Sequence, residues 1–285
     1  MKDSSIDPAC DRAFGAATAA EPSEPLMWLN TDRVLYVGLL GAPSMRTFGA
    51  YSLYLSLARP HRICVEGGRW EEASLSVVPP YVPHRIVSVD RMICNVLVEA
   101  DTVRAADLCG ALRAGRGAIH DPQAVQSLRE ALLRFRLGST RRYASTADFD
   151  RAFFGAALPA RPVDRRIAQV LARIKDDPNR HFPAEDCAAS CHLSVSRFLH
   201  LFRAEVEAPF RSFRTWQRAR SLLYFVTRNS NLAAIALDVG YPDSTHFSHS
   251  IRQIYGLTPK SIFTGCRRLA LYGSDAAALP RFAFH

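Results

Sequence analysis

The feature that most constrains this chain is a repeat in its last third. A short alanine-rich helix, a turn of three or four residues and a longer, polar-faced helix occur at residues 184–206 and again at 232–255. In the first copy AEDCAAS (184–190) leads through Cys191-His192-Leu193 into SVSRFLHLFRAEV (194–206). There Ser194 suits the N-cap, and Phe198 and Phe202 stand one turn apart on one face. In the second copy NLAAIALDVG (231–240) leads through Gly240 and Pro242 into a helix that Asp243 or Ser244 can cap. Phe247, Ile251 and Ile254 or Tyr255 form its apolar stripe, and Gly256 with Pro259 stops it. A single long helix, PFRSFRTWQRARSLLYFVTR (209–228), joins the two copies. Two helix-turn-helix units on one connecting helix form an architecture that presents the second helix of each unit to a DNA major groove.

The faces opposite the two apolar stripes suit that partner. On the first helix Ser196, Arg197, His200 and Arg203 lie away from Phe198 and Phe202. On the second, Ser244, Thr245, Ser248, His249 and Arg252 form a face with no acid and several small hydrogen-bonding groups. These nine residues are the candidate DNA-binding set, with Arg197 or His200 expected at base edges and Arg203 at phosphate. The alternative for each face is plain solvation. Arg211, Arg214, Arg218 and Arg220 on the joining helix read as surface charge rather than as contacts. Charge supports a polyanionic partner: of the net charge of +9, residues 160–272 hold 17 Lys+Arg against 9 Asp+Glu, leaving 19 against 18 elsewhere.

The first half has a different period. YSLYLSLA (51–58), SLSVVP (74–79), HRIVSV (84–89) and MICNVLVEA (92–100) are β-branched or alternating and are separated by breaks such as EGGRWEE (66–72). Short strands at this spacing predict a small antiparallel barrel or sandwich. DPQAVQSLREALLRFRLGS (121–139) then reads as an amphipathic helix, with Asp121 as cap, Pro122 at the first helical position and Gly138 as stop. Its seam of Val125, Leu128, Leu132 and Phe135 is expected to support a homodimer, with core packing as the alternative. Another short helix and a Pro/Ala/Arg linker fall within 145–162. The expected organisation is therefore α+β: a disordered lead-in at 1–25, a β-rich domain at 26–158 ending in helices, an all-α DNA-binding domain at 163–265, and a tail at 266–285, the β-rich domain taking its sensing and dimerisation roles from the family resemblance given below.

Other functions find little support in the residues. No apolar run approaches the roughly 18 residues of a membrane span. Seven cysteines without a secretion signal point to reduced thiols in the cytoplasm. Only His61 and His84 fall in the strand region, too few for a metal-binding barrel. Cys187 and Cys191 share a helix face next to His192, but a fourth zinc ligand is missing. Neither a metal, a cofactor nor a catalytic site is expected.

The stretches IALDVGYPDSTHFSHSIRQIYGLTP and AASCHLSVSRFLHLFRAEV resemble the AraC/XylS transcription regulators, over residues 163 to 263. The first matches that family's Ala-containing helix, Gly-aromatic turn, Ser-x-x-Phe segment and closing Gly-x-x-Pro. Glu207 stands where the family usually has Gly, His249 where Arg is common and Ile251 where Phe is usual. PPYVPHRI (79–86) is similar to a strand entry of the family's cupin-like sensing domain. The resemblance implies a sequence-specific regulator that binds double-stranded promoter DNA, acts as an activator through RNA polymerase, forms a homodimer and answers to a small-molecule effector bound by the N-terminal domain. The competing readings are a cupin-type enzyme with a DNA-binding tail and an architectural DNA binder without effector.

Overall fold

The computed structural model describes residues 25–41, 43–108, 110–113, 115–137, 143, 145–225, 236–237, 240–260, 262 and 270–273. The expected lead-in, most of the helix read at 231–240, the stop at Gly138 and most of the tail lie outside them. The fold is α+β, with the sheets first and the helices after. Strands β1 (Leu26–Leu29), β2 (Arg33–Leu39), β3 (Ala50–Leu55), β6 (Leu75–Val78), β8 (Met92–Glu99), β9 (Gly117–Ile119) and β10 (Ala270–Gly273) make one sheet in the order β10-β1-β2-β8-β3-β6-β9. Strands β4 (His61–Val65), β5 (Trp70–Ala73) and β7 (His84–Ser88) make a second, in the order β5-β4-β7. All strand pairs are antiparallel except β10, which lies parallel on β1. A strand at 270–273, inside the stretch read as tail, therefore returns to the first strand of the fold.

The larger sheet is buried on both faces, which is why its strands read as near-continuous apolar runs. Met27, Val34, Tyr54, Ile93 and Leu97 face a core completed by the small sheet and the C-terminal helices. Trp28, Leu35, Leu53, Val96 and Val98 alternate with them and face the opposite core. That second core is closed by α2 (Pro122–Leu137) and α3 (Thr146–Phe154), which follow the one-turn helix α1 (Gly110–Arg113). Trp28 stacks on Phe149 at 4.4 Å, and Phe149 on Phe153 at 5.6 Å.

This packing revises the expected dimer seam. Val125, Leu128, Leu132 and Phe135 are 9%, 8%, 4% and 2% exposed and lie inside the core with Trp28 and Phe149. The stripe is apolar because α2 covers the sheet, so it is no open surface for a second chain. The exposed large apolar side chains of α2 are Leu133 and Leu137, on its other side.

The remaining helices are α4 (Arg165–Asp176), α5 (Ala184–Ser190), α6 (Val195–Val206), α7 (Phe210–Ser221) and α8 (Ser244–Tyr255). Helices α4 to α6 and the first turns of α7 enclose their own core around Phe198, Phe202 and Phe210. The rest of α7 and all of α8 instead share the core of the larger sheet, through Trp216, Phe247, Ile251 and Tyr255. A buried polar cluster fixes this junction. Glu99, fully buried at the end of β8, accepts from Trp216 Nε1 (2.7 Å), Gln217 Nε2 (3.1 Å) and Arg220 Nε (2.7 Å). Arg220 also donates to the Arg33 and Asn30 carbonyls and to Tyr224. Nearby, Lys175 bridges Asp32 (3.0 Å) and Asp101 (2.6 Å). Burial works to raise Asp32, yet Lys175 holds its carboxyl at about 2. Close approach matters as well: a Cβ on Gly49 would collide with the Trp216 indole.

Two histidines are buried in the β-domain. His61 sits between Ser56 Oγ and Ser76 Oγ, each at 2.7 Å, and His84 between Tyr54 Oη at 2.6 Å and the Val82 carbonyl at 3.0 Å. Both ring nitrogens of each are thus occupied.

Glu99→Ala should cost about 3–5 kcal/mol in denaturant unfolding, because Arg220 is left as an uncompensated buried charge. Burial pushes His61 and His84 down to about 4. The unfolded chain binds those protons near pH 6.5 and the folded one only near pH 4, so their contribution is present above pH 6.5 and is lost as pH falls from there. Unfolding at pH 5 should show about 2 kcal/mol lost per histidine relative to pH 7, and His61→Gln should remove about half of that dependence.

Candidate nucleic-acid interface

Helix α6 begins where Ser194 Oγ accepts from the Arg197 amide at 3.4 Å. It buries Phe198, Phe202 and Val206 completely. Ser196, Arg197, His200 and Arg203 are all exposed on the other side. The helix ends at Glu207, which adopts the left-handed region at φ 57° and sends its amide to the Arg203 carbonyl at 3.0 Å. The helix thus closes with the αL geometry that glycine favours, here supplied by glutamate. Its carboxylate pairs with Arg161 at 2.9 Å, and Arg161 is itself almost wholly buried and donates to the Ala100 carbonyl. The first unit is thereby latched to the turn after β8. Cys187 and Cys191 belong to the apolar core of this unit, at 1% and 2% exposure, while His192 is exposed.

Helix α8 repeats the arrangement with stronger signals. Asp243 Oδ1 accepts from the Thr245 and His246 amides, each at 2.8 Å. Those amide hydrogen bonds hold the Asp243 carboxyl below its ordinary value. Phe247 and Ile251 are fully buried, and Ile254 and Tyr255 nearly so. Ser244, Thr245, His249 and Arg252 are exposed, with Ser248 half-buried beside them. The structure therefore places all nine sequence-derived residues on two outward faces, four on α6 and five on α8. Gly256, at φ 67°, ends α8, and here the N-terminal domain takes hold: Thr47 N donates to the Ile254 carbonyl at 3.0 Å and Ser44 Oγ to the Gly256 carbonyl.

The same contact borders a cavity of about 490 Å³ between the sheet and the end of α8. Tyr54, Ile93 and Leu97 line it from the sheet, and Leu223, Tyr255 and Leu257 from the C-terminal helices. Arg46 also lines it, at 4% exposure, and its Nε and Nη2 have no hydrogen-bond partner among the described residues. The cavity is thus mainly apolar with two cations in its lining, Arg46 and Arg91, and among the described residues no carboxylate forms an ion pair with either.

Sequence reasoning missed three polar residues. Arg220, read as surface charge, is 2% exposed and holds Glu99. Arg46 and Glu99 carried no periodic signal. Their one clue was a charge bordering apolar runs, as Glu99 closes MICNVLVE. No helix among the described residues is long and apolar enough to cross a membrane.

A helix-turn-helix domain family model matches residues 187–264. The arabinose operon regulatory protein of Salmonella typhimurium is 30% identical over 107 residues, 37% of this chain and 38% of that protein. Its counterpart in Escherichia coli is 29% identical over 107 residues, 37% of each. The chain thus spans less than two fifths of the length of the curated relatives it matches. Among solved structures, ToxT from Vibrio cholerae aligns with a TM-score of 0.54 at 12% identity, over 83% of this chain and 98% of that one. An apo ToxT variant from the same organism aligns at 0.56, with the same identity and coverage. At such identity the likeness is one of fold, extending across both the β-domain and the helices. Over residues 187–264 the chain thus carries a helix-turn-helix domain, and over 107 residues it is similar to the arabinose operon regulatory proteins.

Proposed function

We propose that this protein is a sequence-specific DNA-binding transcription regulator that works in the cytoplasm as a homodimer on promoter DNA. The observation that carries the reading is the pair of outward faces on α6 and α8, each backed by a fully buried Phe pair or Phe-Ile pair. Inserted into successive major-groove segments on one side of the duplex, roughly 34 Å apart, the two helices would read one continuous site. Ser196, Arg197, His200 and Arg203 serve the first segment, and Ser244, Thr245, Ser248, His249 and Arg252 the second. Arg197, His200 and His249 are assigned to base edges, and Arg203 and Arg252 to phosphates. Activation would follow from contact between the DNA-bound protein and RNA polymerase.

The cavity beside α8 supports control by a small molecule. Its chemistry suits an apolar body with one anionic group, the anion meeting Arg46 and the body lying against Tyr54, Leu97 and Tyr255. ToxT, whose fold this chain shares, has been solved bound to (E)-4-(8-methylnaphthalen-1-yl)but-3-enoic acid, a molecule of that type. An occupant here borders Tyr255, Gly256 and Leu257 at the end of the second recognition helix.

Three variants test the DNA faces when thermal unfolding is paired with titration of specific and scrambled duplexes. His249→Ala should leave the melting temperature nearly unchanged and weaken specific binding by about 1–3 kcal/mol. Phe247→Ala should cost about 3–5 kcal/mol of stability, because it opens a cavity in the shared core. Arg252→Ala should weaken binding to all sequences alike. If His249→Ala unfolds the protein instead, the faces are reversed. For the cavity, a panel of aryl and alkyl carboxylic acids should raise the melting temperature of the wild type but not of Arg46→Gln, and equal shifts in both proteins would remove the anion assignment.

A further inference from the structure

We propose that Arg211, Arg214 and Arg218 on α7 form a phosphate-binding track that joins the two recognition helices and grips the DNA backbone between the two major-groove contacts. The proposal rests on the DNA-binding reading above and adds to it a third contact surface, on the helix between the two units.

The track is the outer stripe of α7, exposed at Arg211 and Thr215 and half-buried at Arg214 and Arg218. Phe210, Phe213, Trp216, Gln217 and Arg220 turn inward, which leaves Arg211, Arg214, Thr215 and Arg218 at i, i+3, i+4 and i+7 on the outer side. Its two ends meet the two recognition helices. Arg211 and Arg214 line a groove of about 470 Å³ together with Leu199 of α6. Arg218 lies over the Tyr241 ring at 5.7 Å, two residues ahead of Asp243, the cap of α8. The stripe therefore spans about 10 Å from the edge of one DNA-facing helix to the start of the other.

Its charges are uncompensated within the protein. Arg33, Arg59, Arg161, Arg166 and Arg220 each pair with a carboxylate. Among the described residues Arg211, Arg214 and Arg218 pair with none, and the exposed Glu185 and Asp186 at the start of α5 form no ion pair with them. Arg218 Nε is buried without a hydrogen-bond partner among the described residues. Burial, and after it the neighbouring Arg218, lower Arg214 from its ordinary value, so the cluster is under electrostatic pressure that an anion would relieve. Stacking already orients two of the guanidinium groups, Arg214 over Phe210 at 5.5 Å and Arg218 over Tyr241. Planar, oriented guanidinium groups without a counter-ion match phosphate oxygens in charge and in geometry. A duplex held by α6 and α8 presents such phosphates there, on the ridges that flank the minor groove between two major-groove contacts. An acidic protein surface would meet the same charges, but the position of the stripe between α6 and α8 favours the duplex.

The test is salt-dependent binding of the full chain to a mixed-sequence duplex of about 30 base pairs, enough for both contacts. The triple variant Arg211→Gln, Arg214→Gln, Arg218→Gln should lower the slope of log Kobs against log salt by about 2 to 3 units, since each phosphate neutralised contributes about 0.9. A control triple on the β-domain, Arg69→Gln, Arg85→Gln, Arg104→Gln, removes equal charge and should leave the slope nearly unchanged. The lysine triple at 211, 214 and 218 should retain it. Equal slopes for the stripe and control triples would overturn the track. A stripe triple with an unchanged DNA slope but lost transcription in a purified system would assign the stripe to a protein partner, and so overturn it as well. Failure of the wild type to bind any duplex would sink the DNA-binding reading itself, a different result from binding with an unaltered slope. Should the glutamine triple fail to fold, Arg211→Gln alone decides at an exposed position: a slope reduced by about 0.9 upholds the track and an unchanged one removes it.

Discussion

A carboxylate with no access to water holds this molecule together. Glu99 receives donors from Trp216, Gln217 and Arg220, three residues within five positions on α7. Burial raises its carboxyl above the ordinary value, with Arg220, Lys175 and the Trp216 hydrogen bond opposing. The arrangement is demanding in the way buried ion pairs are. It adds little net stability over an apolar substitute, but it tolerates a single registration of α7 on the sheet. Helix α8 takes part of its position from that registration and the rest from Thr47 and Ser44 at its end.

The two helix-turn-helix units look alike in sequence but differ in what supports them. The first closes its own core around Phe198, Phe202 and Phe210. Among the described residues the second shares its core with the β-domain, where Phe247, Ile251 and Tyr255 are packed with Phe48, Tyr54 and Leu97. A change in the β-domain therefore reaches α8 through direct packing, whereas it reaches α6 through Arg161 and the turn after β8. The cavity with Arg46 lies on the α8 side of this asymmetry, where an occupant has the shorter mechanical path to a DNA-reading surface.

What the sequence disclosed follows from the range of the interactions involved. Helix α8 was legible, save for the choice between Asp243 and Ser244 as its cap, because its signals are local: the cap, the Phe247/Ile251 stripe and the Gly256 stop lie within fourteen positions. The outward placement of the two polar faces followed from the same periodicity. The seam of α2 was visible too, but periodicity reports only that a face is apolar, and the sheet rather than a second chain covers it. The Glu99 cluster could not be read, because its partners lie 117 to 121 positions apart and nothing local distinguishes Arg220 from Arg211, Arg214 and Arg218. On one helix, four arginines of similar appearance divide into one interior strut and three outward cations, and tertiary packing alone decides which is which.

Strand β10 adds a geometric consequence. The chain leaves the β-domain after α3, builds both DNA-facing units and comes back to hydrogen-bond along β1. The DNA-reading portion is thus a closed excursion from one sheet, anchored at entry and exit, unlike a module swinging on a single hinge. Torsion applied at either recognition helix is met at two points of attachment. The ladder between Leu26 and Gly273 thus ties the far end of that excursion back to the first strand of the fold.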